Sequence, residues 1–182
     1  MESIEKSIEV NAPITAVYNQ WTQFEEFPHF MKGVEEVQQL GDKRLHWKAE
    51  IGGKTKEWDA EIFEQIPDQR IAWRSITGSK NSGMVNFSPV GADSTRVTLS
   101  LNYEPEGAME KMGDAIGVVS GRVKGDLEKF KEFIESRGRE TGGWRGEIHG
   151  REVHAGPGKR AATEQAEAEP RSKRMHGDTS KI

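Results

Sequence analysis

The sequence predicts an α+β domain: a curved, seven-stranded antiparallel sheet, two short helices after strand 1, and a long C-terminal helix around which the sheet wraps. Three observations in its 182 residues predict this. Period-two alternation dominates from Ile4 to Tyr103, a single early stretch interrupts it, and apolar residues at three- and four-residue steps run from Ala108 to Arg137. A sheet with one apolar face needs a cover. At about 1.5 Å per residue the helix is about 45 Å long, enough to cross a small sheet.

The first strand, Ile4 to Val10, alternates imperfectly because Lys6 falls among its apolar positions. In the interruption, APITAVYNQWTQFEEFPHFM, Asn11 can cap and Pro13 can start a short helix, and a second short helix or turn runs to about Pro28. Six further strands follow, five of them marked by alternation. RLHWKAEI puts Leu45, Trp47, Ala49 and Ile51 on one face, and KEWDAEIFEQI does the same with Trp58, Ala60, Ile62 and Ile66. RIAWRSI contributes Ile71 and Trp73, MVNFSPV contributes Val85 and Phe87, and TRVTLSLNY contributes Val97, Leu99, Leu101 and Tyr103. Turn-prone pairs such as Gly41-Asp42, Gly52-Gly53 and Pro67-Asp68 separate them, so neighbours pair antiparallel. Pro105 and Gly107 then break the chain ahead of Met109, Met112, Ile116, Val119, Val123, Leu127, Phe130 and Ile134, the apolar stripe of the long helix.

Core-forming residues thin out after Gly138, which divides the chain into a domain, 1–138, and a low-complexity tail, 139–182, expected to be disordered, with Trp144 its one aromatic. The tail carries 9 Lys or Arg against 7 Asp or Glu, leaving 17 against 23 for the domain, so the net charge of -4 arises in the domain. That balance argues against nucleic acid as a partner, although the short basic runs of the tail allow weak contact with an anionic membrane surface. Cysteine is absent, which excludes disulfides, thiolate metal sites and cysteine nucleophiles. No apolar run reaches the length of a membrane span and the N-terminus lacks a signal-peptide pattern, so the expected location is cytoplasmic.

Several stretches resemble the SRPBCC superfamily, the START-related and polyketide cyclase/dehydrase helix-grip proteins: IEVNAPITAVYNQWTQFEEFPHFMKGVEEVQQL, RLHWKAEIGGKTKEWDAEI, PDQRIAWRSITG and GDLEKFKEFIESRG. They are most similar to the bacterial cyclase/dehydrase branch, near the coenzyme-Q-binding START-like proteins. The resemblance implies an apolar cavity between sheet and helix that takes a small hydrophobic ligand such as a lipid, an isoprenoid or quinone, or a polyketide-like molecule. It implies no cofactor and no fixed catalytic set, because the shared residues are those of core and turns.

Trp47, Trp58 and Trp73 fall on inward faces of successive strands and either fill the core or wall a cavity. With Phe87, Leu99, Tyr103, Ile116, Gly117 and Gly121 they form the expected cavity lining. Gly113, Gly117, Gly121 and Gly125 each cost about 1 kcal/mol relative to alanine in a helix, and they mark either a close approach or a soft helix with space beneath it. Trp21, Phe24, Phe27 and Phe30 step by three, as core packing or as an entrance wall that includes Phe27, His29 and Phe30. Alternation sends His46, Glu57, Asp59, Glu61 and Arg74 to the outer sheet face. Nucleophile elbow, phosphate loop, dinucleotide fingerprint and metal-binding motifs are all missing. A hydrophobic-ligand carrier, a polyketide cyclase/dehydratase using a cavity-facing His or Tyr, and a stress or interaction protein acting through its tail remain as readings.

Overall fold

Alternation between Glu2 and Tyr103 resolves into seven strands: β1 (Glu2–Val10), β2 (Val34–Gln39), β3 (Arg44–Ile51), β4 (Lys54–Ile66), β5 (Arg70–Gly78), β6 (Asn81–Gly91) and β7 (Ser94–Tyr103). The structure, a computed structural model, describes residues 1–105 and 114–157. Consecutive strands from β2 to β7 pair as antiparallel neighbours, and β1 joins the far side of β7, giving the order β1-β7-β6-β5-β4-β3-β2. Between β1 and β2 lie α1 (Ile14–Trp21) and a 3-10 turn (Phe24–His29), the two short helices expected there. The long helix α2 spans Asp114–Arg137. The expected start near Ala108, with Met109 and Met112, lies outside the described residues.

The curved sheet grips α2 from both edges. Lys131 donates its ammonium to the Glu9 carbonyl at 2.8 Å, and the Asn11 backbone N–H donates to Glu135 Oε1 at 2.7 Å. Near the other edge, Arg122 donates to the Glu50 carbonyl. Because Lys131 meets Glu9 while Glu135 meets Asn11, α2 runs in the same direction as β1. Its first turns therefore lie at the end of the sheet that gathers the β3–β4 turn, the β5–β6 turn and Tyr103, since Glu2 pairs with Tyr103 and Tyr103 with Asn81.

Val123, Leu127, Phe130 and Ile134 bury the second half of α2 against Trp21, Phe30, Phe87 and Val97. Aromatic rings dominate this core, with Trp21 4.9 Å from Phe130 and 6.1 Å from Phe87, and Tyr18 5.4 Å from Phe87. A deep polar pair, Gln65 Nε2 donating to the Tyr18 hydroxyl at 3.1 Å, satisfies two groups that would be costly to bury alone.

The domain does not stop at Gly138. Residues 139–157 fold back as a strap across the end of α1 and add two short strands, β8 (Glu147–His149) and β9 (Glu152–His154), with β8 paired to β4. Trp144 is 4% exposed and Ile148 fully buried, so the described part of the expected tail, 139–157, packs on the domain. The physical reason is a set of polar contacts that seat two apolar side chains. Thr141 N–H donates to Gln20 Oε1 at 2.8 Å, Trp144 N–H donates to Thr22 Oγ1 at 3.0 Å, and Arg145 makes a two-pronged bond to Asp68 at 2.7 and 3.0 Å. Residues 158–182 lie outside the described residues.

Candidate functional site

At the end of the sheet near the start of α2, the aromatic side chains are no longer sunk. Trp47, Trp58 and Trp73 are half-buried, as are Leu101 and Tyr103. Strand pairing explains why the tryptophans cluster. Trp47 is opposite Trp58 across β3 and β4, and the rings stack 5.7 Å apart at 5°. Trp73 is opposite Gly83, and Gly83 opposite Leu101. The Trp73 ring lies over Gly83 where a Cβ would stand, so glycine is required there for the indole to lie flat on β6. Trp47 in turn meets Phe27 at 5.7 Å, which links this aromatic surface to the core.

Two polar atoms mark the same region. The Trp47 indole N–H is shielded from solvent and has no hydrogen-bond partner among the described residues, leaving a buried donor without an acceptor. The Tyr103 hydroxyl is likewise shielded from solvent.

Above this surface α2 changes character. Its apolar stripe continues upward from Val123 through Val119 to Ile116, but Val119 is only partly buried and Ile116 is 37% exposed. The buried stripe thus ends at Val123, and apolar side chains of the first turns of α2 stay partly exposed at the end of the sheet that carries the tryptophans.

The sequence-expected lining divides accordingly. Trp47, Trp58, Trp73, Tyr103 and Ile116 come to this end, whereas Phe87 and Leu99 are buried in the core. Gly117 and Gly121 do not lie beneath the helix. Gly121 is two residues from the buried Val123, about half a turn at 3.6 residues per turn, and both glycines are exposed with open space at their Cβ positions. Phe27 and Phe30, each 3% exposed, are core residues packed on each other, with Phe30 also against Phe130. His29 points outward, its side chain 64% exposed, paired with Glu26 at 3.2 Å and stacked on Phe133.

The outer sheet face carries the expected charges as cross-strand pairs. His46 Nδ1 lies 2.7 Å from Asp59, Arg44 3.2 Å from Asp59, and Glu61 3.2 Å from both Lys43 and Arg74. Among the described residues no three His, Asp or Glu side chains are arranged to hold a metal ion. A surface depression of about 510 Å³ lies elsewhere, between α1 and the strap, lined by residues such as Asn19, Arg139, Thr141 and Arg145. Charged side chains rim it, and it lies apart from the tryptophan surface.

One ionisable residue was not singled out by the sequence. Asp126, half-buried on α2, accepts the Lys32 backbone N–H, and burial pushes its carboxyl up to about 6 despite that bond and the nearby Arg122 charge. Only its departure from the surface pattern, an acid between Val123 and Leu127 of the buried stripe, could have signalled it.

Residues 10–132 match the sequence profile of the family described as polyketide cyclase/dehydrase and lipid transport. An uncharacterized 17.2 kDa protein in the melC2-rnhH intergenic region of Streptomyces lincolnensis is 50% identical over 149 residues, covering 81% of this chain and 99% of that protein. Since 149 residues cannot fit within 1–138, that similarity extends into the strap or beyond it. The crystal structure of DR_A0006 from Deinococcus radiodurans is 30% identical with a TM-score of 0.60, covering 75% of this chain and 99% of its own. The Zhui aromatase/cyclase from Streptomyces sp. R1128 shares the fold at 19% identity and a TM-score of 0.62, covering 78% of this chain and 98% of its own.

Proposed function

Because the chain belongs to the polyketide cyclase/dehydrase and lipid transport family, we propose that it binds a small hydrophobic ligand in the groove between the first turns of α2 and the Trp47, Trp58 and Trp73 surface. The observation that carries this reading is the mismatch at the groove. An apolar helix stripe and an aromatic sheet surface, each suited to burial, are both left partly open to water. A ligand would remove that surface from water at about 25 cal/mol per Å², and the Trp47 indole N–H would gain an acceptor from a carbonyl or hydroxyl oxygen. Ligands with a lipid, isoprenoid or polyketide-like body and one oxygen near the tryptophans fit these demands.

Native mass spectrometry of freshly purified protein, followed by lipid extraction, tests this. A co-purifying apolar molecule is expected, and in its absence the dye 1-anilinonaphthalene-8-sulfonate should bind one per chain with energy transfer from tryptophan. Trp47→Phe keeps the ring but removes the donor, and should weaken an oxygen-bearing ligand by about fivefold to tenfold. A protein that carries no ligand and binds no dye would sink the reading.

A cyclase or dehydratase reading uses the same groove and adds proton transfer. For a ligand that reaches the β2–β3 corner, Asp126, raised by burial to about 6, would be the group that gives and takes a proton. Turnover of a reactive poly-β-ketone, lost in Asp126→Asn with dye binding retained, is the outcome it requires.

A further inference from the structure

We propose that Arg122 and Asp126 form a two-point clamp that pins the middle of α2 to the base of the β2–β3 hairpin, so that Ile116–Gly121 is the movable gate of the groove. The inference rests on the proposed ligand site and adds how that site opens.

Three observations meet at the clamp. Arg122 donates to the Glu50 carbonyl at the end of β3. Asp126, one helical turn later, accepts the Lys32 N–H from the segment just before β2. Between them, Gly33 lets the guanidinium in, because a Cβ on residue 33 would overlap Arg122. Gly33 and Glu50 are themselves joined by the Glu50 N–H bond to the Gly33 carbonyl at 2.8 Å, so both helix anchors grip one rigid corner. The anchors hold main-chain groups, which cannot swing away as surface side chains do.

On the two sides of the clamp the helix differs. C-terminal to it, Leu127, Phe130 and Ile134 are buried. N-terminal to it, Ile116, Gly117, Val118 and Gly121 are exposed and Val119 only partly buried. Few buried side chains and two helix-weakening glycines give that segment a lower cost of local opening than the buried stretch Leu127–Ile134. Arg122 sets where opening stops.

The charged groups around the clamp are Arg122 and Asp126 on α2, Lys32 before β2, Glu50 at the end of β3, and the Lys48–Glu35 pair between β3 and β2, 3.6 Å apart. Lys32 and Glu50 are exposed and take part through their main chains.

The test uses the full chain with 1-anilinonaphthalene-8-sulfonate as probe, comparing stopped-flow dye release and amide hydrogen exchange in wild type, Arg122→Ala, Gly33→Ala and the double variant. Each single change should speed release by about fivefold to twentyfold and extend fast amide exchange from residues 116–121 into 122–126. The double variant should go no further than either single one, since both remove the same contact. Gly117→Ala with Gly121→Ala, which meets open space, should slow release by about tenfold or more. Dye that binds with release and exchange unchanged in every variant, or additive effects in the double variant, would overturn the clamp. Failure of the dye to bind at all counts against the ligand site instead, and the hydrogen-exchange arm still decides the clamp.

Discussion

The two ends of the sheet–helix layer use the same residue type to opposite effect. At the strap end, Trp21 and Trp144 are 3% and 4% exposed, sealed by α1, the strap and the second half of α2. At the other end, Trp47, Trp58 and Trp73 lie on the same face of the sheet yet stay half-buried, where the first turns of α2 are themselves exposed. The difference does not rest on a missing strand, although β4 carries register shifts at Asp59/Ala60 and Ile62/Glu64. It lies in what covers the strands, so stability is concentrated at one end and exposed apolar surface at the other.

The largest effect that would break this comparison is at the sealed end. Trp144→Ala empties a fully packed site and should lower stability by about 3–5 kcal/mol in urea denaturation. A loss below about 1 kcal/mol would mean that the strap merely lies on the surface.

An intermediate effect comes from Asp126, near the junction of the two ends. Its carboxyl titrates at about 6 in the folded chain against 3.8 for the free group, so the folded state holds the proton more tightly. Stability therefore falls as pH rises from about 4 to about 6, and the deficit is complete above that. Asp126→Asn should raise stability at pH 7 by roughly 1–2 kcal/mol and leave it nearly unchanged at pH 3.5, read by chemical denaturation at the two pH values. Equal shifts at both would assign the effect to packing rather than charge.

The smallest effect is expected at the open end. Trp58 stacks on Trp47 but is not part of the buried core, and Trp58→Ala should cost about 1 kcal/mol or less while weakening dye binding measurably. A loss like that of Trp144→Ala would erase the distinction between the ends.

The sheet was legible in the sequence because one face is buried. That forces alternation, and RLHWKAEI or TRVTLSLNY can sit in only one register without turning Leu45 or Leu99 to water. The stripe of α2 was legible for the same reason. The strap was not, since its two apolar anchors are surrounded by polar residues and depend on Gln20, Thr22 and Asp68, more than 70 residues away in the chain. The tryptophans of the candidate site could be placed on the inward face, but whether an inward residue is sealed or open depends on the course of α2. Arg122 and Asp126 were hidden because they bind main-chain groups, which leave no mark on residue type.

One consequence follows from the length of β4. Its first part pairs with β3, but β3 begins at Arg44 opposite Glu61, and on that side Glu64 and Gln65 pair with His149 and Ile148 of β8 instead. The strap thus occupies main-chain donors and acceptors that would otherwise form a bare strand edge, the kind of surface on which a second chain can add itself. Removing residues 139–157 would do more than weaken the monomer. It would expose a template for strand-by-strand self-association, and the shortened protein should be lost to aggregation at concentrations where the full chain stays dispersed.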